Sequence, residues 1–333
     1  MSVQHTPPIL SVEGLRISLK GDEGRAEVLD RIDVTVPQGR IVGVVGESGC
    51  GKSTLIKAIL RILPKNARID SGAIIFEGED LASLSEREMS RRIRGGGIGF
   101  IPQDPYLALN PVFRIGTQLG EILRWHAPPQ FKADPRGRLV DLFRAVQLPD
   151  PEGALDRYPH QFSGGQRQRI LIAAALACQP RLIVADEPTT ALDVTTQQEI
   201  LRLLRDLVAE LGVSMLFVSH DFGVVSQLCD DISVIYAGQT AESGPTQRVL
   251  HDPRHPYTRM LIDCHPDRTD SLVGIPGTVP SPVRPPAGCR FAPRCPLAID
   301  ACRTVLPEPT RLAEGRRVVC WRHADPLPEL ELA

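Results

Sequence analysis

Hydrophobic and polar positions alternate along the first part of the chain and change to helical spacing only after residue 51. Across residues 9–37, LRISL and VLDRIDVTV switch sides residue by residue around the polar turn GDEGR, which predicts antiparallel strands. Ile41-Val42 and Val44-Val45 form a β-branched run of the kind found in buried strands. Leu55, Ile56, Ile59, Leu60 and Ile62 then recur at helical spacing. A short strand at 73–76, a charged helix near 85–94 and a strand at 98–101 follow, the last ending at Pro102-Gln103. Residues 104–160 change character. Two amphipathic helical stretches, about 112–125 and 136–147, are separated by Pro128-Pro129 and Pro135, as expected of a mostly helical insertion. From Gln161 the alternation returns: helix 164–178, strand 182–185, helix 196–211, strand 215–219, a helix, and strand 232–236. Strands alternating with helices predict a mainly parallel sheet in an α/β fold.

After about residue 250 the composition shifts. Fourteen of the thirty prolines and five of the eight cysteines fall in the last 83 residues, which predicts a separate small module with little regular structure. At 333 residues the chain is long enough for a large core and more than one domain. A formal net charge of −2 provides no global basic field, which argues against nucleic acid as the main partner. The longest purely apolar run, 170–178, is nine residues, far short of the ~20 a membrane helix needs. The opening MSVQHTPPIL lacks the basic-then-apolar order of a signal peptide. The expectation is a cytoplasmic chain whose cysteines are thiols or metal ligands rather than disulfides.

Between the predicted strand at 41–45 and the helix after it stands GESGCGKST, residues 46–54. Gly46, four free positions and Gly51-Lys52-Ser53 fit a phosphate-binding loop, so Gly46, Glu47, Ser48, Gly49, Cys50, Gly51, Lys52, Ser53 and Thr54 are the candidate triphosphate cradle. Glycines let backbone N–H groups turn inward round an anion. Lys52 would reach the β- and γ-phosphates, and the Ser53 hydroxyl would ligate Mg²⁺. RLIVADE, residues 181–187, is an apolar strand ending in two acids. Asp186 suits a hold on Mg²⁺, and Glu187 is placed to take a proton from attacking water. By itself the pair fits equally well a strand-end acid that caps a turn. FSGGQ, residues 162–166, offers Ser163 as an N-cap and two glycines that leave helix N–H groups bare for an anion.

Taken together these motifs resemble the ATP-binding cassette (ABC) ATPases over about residues 9–250. FSGGQ matches that family's signature LSGGQ, Gln103 its Q-loop glutamine, Asp193 in Thr190-Ala191-Leu192-Asp193 its D-loop, and His220 its H-loop histidine. The resemblance implies a P-loop NTPase fold: a RecA-like core, an antiparallel β subdomain and a helical subdomain at about 104–160. It also implies two cassettes closing head to tail, so that Ser163, Gly164, Gly165 and Gln166 reach the partner's nucleotide. Gln103 would link Mg²⁺ and water to the helical insertion, and His220 would contact the γ-phosphate and position water. One departure stands out. Family members usually stack an aromatic of the first strands on adenine, whereas Leu19 occupies that place here.

Further segments are similar to one branch, the ATPase subunits of oligopeptide/dipeptide importers, which also include nickel and opine systems. They are Gln103-Asp104-Pro105 with Leu109-Asn110-Pro111, Gly46-Glu47-Ser48-Gly49, Arg157 to Ser163, His255-Pro256-Tyr257, Gly288-Cys289-Arg290-Phe291 and Pro293-Arg294-Cys295-Pro296. This resemblance divides the chain into a nucleotide-binding domain, 1–250, and a C-terminal extension, 251–333. Cys289, Cys295, Cys302 and Cys320 follow C-x5-C-x6-C-x17-C, a spacing that admits zinc, a [4Fe–4S] cluster or free thiols. Likeness to dipeptide-type members favours the iron–sulfur cluster. Cys178, Cys229 and Cys264 read as ordinary buried or stray cysteines. The implied function is ATP hydrolysis, with ATP and Mg²⁺, at the inner face of a cell membrane, powering uptake of peptides or a related solute. Implied partners are two permease subunits, a second ATPase subunit and an extracytoplasmic solute-binding protein. The rival is a soluble ABC ATPase acting on nucleic acid or ribosomes.

Overall fold

In the computed structural model, residues 7–264 and 274–324 are described. Strands β1 (Leu10–Gly21) and β2 (Gly24–Val36) form the expected hairpin, paired from Leu10 with Val36 to Gly21 with Gly24. After β3 (Ile41–Val45) and α1 (Lys52–Ile59), β4 (Ala67–Phe76) and the two-residue β5 (Glu79–Asp80) complete a four-stranded sheet ordered β2-β1-β4-β5. Strand β4 begins at Ala67, earlier than the apolar run at 73–76 suggests. Its first half has one large apolar residue, Ile69, opposite Ile17 of β1 and flanked by exposed Arg68 and Asp70, too short an alternation to mark the strand. The charged stretch 85–94 forms a single α-turn, α2 (Glu86–Glu88), closed by a Ser85–Glu88 capping box and continued by a π-turn, Met89–Ile93.

Beyond β6 (Ile98–Ile101) lies the helical insertion: α3 (Ile115–His126), α4 (Pro129–Ala133), α5 (Pro135–Ala145) and α6 (Pro151–Ala154). The last three start on proline, whose missing N–H costs nothing in a first helical turn. Leu119, Leu123, Leu139 and Phe143 form its apolar face and join the main core. Then α7 (Gly164–Leu176), β7 (Leu182–Asp186), α8 (Val194–Leu211), β8 (Ser214–Ser219), α9 (Phe222–Leu228) and β9 (Asp231–Tyr236) alternate, and β10 (Gln239–Pro245) turns back antiparallel.

Strands β9, β3, β8, β7 and β6 lie side by side and parallel. Successive residues in a strand point to opposite faces, and both faces here are covered. Val42, Val44, Leu216 and Val218 face the cluster shared with α1 and the antiparallel sheet. Ile41, Val45, Met215 and Phe217 face the cluster shared with α7, α8 and the helical insertion. Two-sided burial explains why these strands read as unbroken apolar runs.

Helix α10 (Thr246–His251) leads into the C-terminal extension, which carries α11 (Pro256–Asp263), α12 (Ala301–Thr304), β11 (Thr310–Arg311) and β12 (Arg317–Val318). Little regular structure is what its prolines predict, but it is not a separate module. Strand β12 pairs with β10, Glu242 opposite Val318, and β11 lies outside it, making one eight-stranded sheet ordered β11-β12-β10-β9-β3-β8-β7-β6. The reason is apolar demand. Tyr257 and Phe291 are fully buried against Tyr236 of β9, with ring centroids 4.5 and 5.0 Å from it, so the extension shares the cassette's core. Arg316 seals the junction with a 2.9 Å bond to Glu242, whose side chain is completely buried.

Candidate functional site

The chemistry gathers at the carboxyl ends of four neighbouring parallel strands, where open α/β sheets place their ligands. Gly46 follows β3, Gln103 lies two residues after β6, Glu187 follows β7 and His220 follows β8. The register ties these ends together, with Val45 opposite Ser219 and Asp186 opposite Val218. A cleft of about 650 Å³ opens there, and Lys52, Ser53, Gln103, Glu187 and His220 line it.

The loop before α1 is shaped by close approaches. A Cβ on Gly46 would sit 2.1 Å from the Ile235 carbonyl oxygen, and Gly51 adopts φ 105° against Leu29. Gly46, Glu47, Ser48, Gly49, Gly51, Lys52, Ser53 and Thr54 all line the cleft. Cys50 is different: it is 2% exposed, and burial raises its thiol pKa. The Lys52 ammonium, itself buried, donates to the carbonyls of Gly46 (2.8 Å) and Glu47 (3.1 Å). The Glu47 carboxylate does not project as a nucleotide ligand. It is paired with Arg294 of the extension at 2.8 Å.

Glu187 sits at the centre of the cleft. Its Oε2 meets Nδ1 of His220 at 2.9 Å and accepts bonds from the Thr190 hydroxyl at 3.2 Å and the Gln103 amide at 3.3 Å. The Lys52 ammonium lies 3.9 Å from its other oxygen. Glu187 has φ 44°, a left-handed backbone uncommon outside glycine, and its N–H is anchored on the Val218 carbonyl. Strain of that kind recurs at functional sites because the surroundings must hold it. Asp186 lies beside it. Burial and then the neighbouring Glu187 charge raise its pKa, while a bond from the Ser53 hydroxyl lowers it. Ser53, Asp186 and Gln103 supply a hydroxyl, a carboxylate and an amide, a hard oxygen set that fits Mg²⁺.

The signature residues lie outside this cleft. Ser163 caps α7 in a reciprocal box, accepting from the Gln166 N–H at 3.3 Å while the Gln166 side chain accepts from the Ser163 N–H at 3.1 Å. Gly165 packs against α8, where a Cβ would meet the Thr196 methyl at 2.6 Å. Asp193 caps α8, accepting from the Thr196 N–H at 3.0 Å and the Thr196 hydroxyl at 2.7 Å. Within one chain, then, the phosphate loop, Gln103, Glu187 and His220 converge, whereas Ser163, Gly164, Gly165, Gln166 and Asp193 do not join them.

Leu19 is half-buried against the antiparallel sheet's core, and the cleft's apolar side chains are Val28 of β2 and Leu261 of α11. Sequence reasoning missed both, as well as the site role of Thr190. A hydroxyl three residues after Glu187 in a turn was the available signal for Thr190; Leu261 offered none.

The iron–sulfur expectation is not met. Cys289, Cys295, Cys302 and Cys320 are close enough to influence one another and form no disulfide. Among the described residues no three His, Cys, Asp or Glu side chains form a group that could hold a metal. Burial raises the Cys289 thiol to about 12 and the Cys320 thiol to about 11.

Comparison with known proteins agrees with this geometry. Residues 29–190 match the family described as ABC transporter, and residues 241–302 match the oligopeptide/dipeptide transporter C-terminal region. A probable peptide ABC transporter ATP-binding protein of Sinorhizobium fredii is 43% identical over 97% of this chain and 98% of its own. A probable D,D-dipeptide transport ATP-binding protein of Escherichia coli is 43% identical over 95% of this chain and 97% of its own. A dipeptide transport ATP-binding protein of Bacillus subtilis is 43% identical over 94% of each. Among solved structures, cbiO1 of Clostridium perfringens, part of an ABC transporter complex, superposes with TM-score 0.63 at 27% identity over 74% of this chain and 92% of that one. A bacterial ABC transporter cassette in dimeric form gives TM-score 0.62 at 26% identity over 71% and 98%. With the cleft and the full-length likeness together, this chain belongs to the ABC transporter ATP-binding proteins and carries the C-terminal region of their oligopeptide/dipeptide group.

Proposed function

We propose that the chain is the ATP-hydrolysing subunit of an importer for di- or oligopeptides or a related solute. The observation that carries the hydrolysis is the Glu187 carboxylate, held by His220, Gln103 and Thr190 beside the phosphate loop. In this reading the loop amides and Lys52 hold the β- and γ-phosphates. Bound Mg²⁺, held by Ser53 with Asp186 and Gln103, would neutralise charge building on the β–γ bridge. Glu187 takes a proton as the water oxygen bonds to the γ-phosphorus and the bridging P–O bond breaks, releasing phosphate and leaving ADP. His220 orients Glu187 and meets the γ-phosphate.

Because the signature lies away from the cleft, a second cassette must bring its own Ser163-Gly164-Gly165-Gln166, or a paralogue's equivalent, over this nucleotide. Asp193 lies on the same exposed side. Exposed on the helical insertion are the apolar side chains of Leu107, Val112 and Phe113, which suit the short cytoplasmic helices of two permease subunits. Among the described residues no helix is long and apolar enough to cross a membrane. We therefore place the chain as a peripheral subunit on the cytoplasmic membrane face, served by an extracytoplasmic solute-binding protein. The names of the relatives support the peptide assignment, and nothing in them supports the nucleic-acid or ribosome alternative. An iron–sulfur cluster stays outside this reading, since the cysteines do not form a metal-holding group.

The test is a tagged pull-down from detergent-solubilised membranes with every copurifying chain identified. Two multi-span permeases and a cassette partner are expected. Only soluble partners, such as ribosomal proteins, would overturn the transport reading.

A further inference from the structure

Glu47 poses an electrostatic problem. A carboxylate at the second position of a phosphate loop stands beside the seat of a highly charged anion, and like charges repel. The side chain is one quarter exposed, and the extension answers its charge with Arg294, whose side chain is 4% exposed. The guanidinium grips both carboxylate oxygens, at 2.8 and 3.2 Å. Its remaining donors reach the Tyr236 hydroxyl (3.2 Å), the Ile275 carbonyl (2.8 Å) and the Pro276 carbonyl (2.9 Å). An arginine has five N–H donors, and each of these is spent inside the protein. Arg294 therefore has no bond left to give a phosphate.

A second contact from the extension meets the same residue. The Glu47 backbone N–H donates to the Tyr257 hydroxyl at 3.0 Å. Tyr257 is fully buried, wedged between Tyr236 and Phe291. The Glu47 carbonyl in turn accepts from Lys52 at 3.1 Å and from the Cys50 N–H at 3.3 Å. Side chain, N–H and carbonyl of one residue thus link the extension to the phosphate-binding lysine.

We propose that Arg294 and Tyr257 are positioning residues of the nucleotide site, through which the C-terminal extension neutralises Glu47 and holds the phosphate loop in its binding form. The inference rests on the ATP-binding reading of the cleft. It gives the extension a part in nucleotide binding that extends beyond covering the sheet edge.

Equilibrium titration of the full chain with a non-hydrolysable ATP analogue reads this without turnover, and steady-state ATPase assays add KM and kcat. Arg294→Met is expected to weaken analogue binding and raise KM roughly tenfold, in line with loss of one charge-assisted pair, with kcat changed less than about threefold. In a Glu47→Gln background the same Arg294→Met change should cost less than about twofold, because no carboxylate then needs neutralising. Arg294→Lys, which keeps the charge and loses the fork, should fall between. Tyr257→Phe keeps the buried ring and should weaken binding about threefold, which tests the idea if Arg294→Met folds poorly. Equal losses from Arg294→Met in both backgrounds would mean a merely structural role and overturn the proposal. Unchanged binding in Arg294→Met or in Tyr257→Phe would also overturn it. A parent chain that binds the analogue but does not hydrolyse ATP would count against the proposed function and leave this inference to the titration.

Discussion

Acid should destabilise the folded chain, and buried His255 is one source of the loss. The imidazole is 4% exposed, and its Nδ1 accepts the Tyr257 N–H at 3.0 Å, which fixes Nδ1 as the unprotonated nitrogen and caps α11. Burial, and then the neighbouring His323, lowers its pKa from 6.5 to about 3. Above pH 6.5 the histidine is neutral both folded and unfolded and contributes no pH dependence. Below it the unfolded chain gains a proton that the folded chain refuses, so stability falls as pH falls toward about 3. Each unit in that window costs ~1.36 kcal/mol, so moving from pH 6.5 to pH 5 removes about 2 kcal/mol. The assay is urea denaturation at several pH values between 5 and 8, comparing the parent with His255→Asn, which can still cap the helix but does not titrate. The parent should lose about 2 kcal/mol more than the variant between pH 8 and pH 5. Parallel stability curves would refute the reasoning.

Glu187→Gln should lower phosphate release by about 10²–10⁴-fold while gel filtration still shows an ATP-dependent dimer; a parental rate would remove Glu187 from its role. Gly165→Ala places a methyl 2.6 Å from the Thr196 methyl and should destabilise the chain by about 1–3 kcal/mol in chemical denaturation. Adding Thr196→Ser, which deletes that methyl but keeps the hydroxyl on Asp193, should recover most of the loss; no recovery would show that α7 and α8 do not meet this way. Arg316→Met leaves the completely buried Glu242 carboxylate without its counter-charge, held only by the Arg254 and His255 N–H groups, and should cost about 3–5 kcal/mol, read as a lower melting midpoint. A change under about 1 kcal/mol would mean the pair does not hold the junction.

What could be read from the chain was whatever local chemistry dictates. The glycines of residues 46–51, the apolar run before them and the acids ending β7 each need particular residue types at particular offsets. Burial on both faces made the parallel strands conspicuous. Contacts that join distant residues through backbone or a single side chain left no periodic trace. Strand β12 is two residues long, and the first half of β4 has a single large apolar residue, Ile69. Arg294 and Glu47 lie 247 positions apart, and no spacing rule links them. The cysteine spacing left zinc, an iron–sulfur cluster and free thiols open, because intervals along a chain do not say how thiols are arranged in space; the iron–sulfur preference came from the family resemblance alone. The separation of signature from phosphate loop was legible only through the family resemblance, because neither motif's own spacing says where the other lies.

The pairing of β12 with β10 also bears on how the chain is made. During synthesis from the N-terminus, β10 can pair with β9 as soon as residue 245 is free, but its other edge waits until residue 318 has been added. For that interval the nascent cassette presents an open strand edge, the feature most prone to pairing with a neighbouring chain. Glu242, on that strand, meanwhile lacks Arg316 and keeps its charge in water, which discourages burial of the edge against a wrong partner. The late arrival of Arg316 both closes the sheet and neutralises that guard.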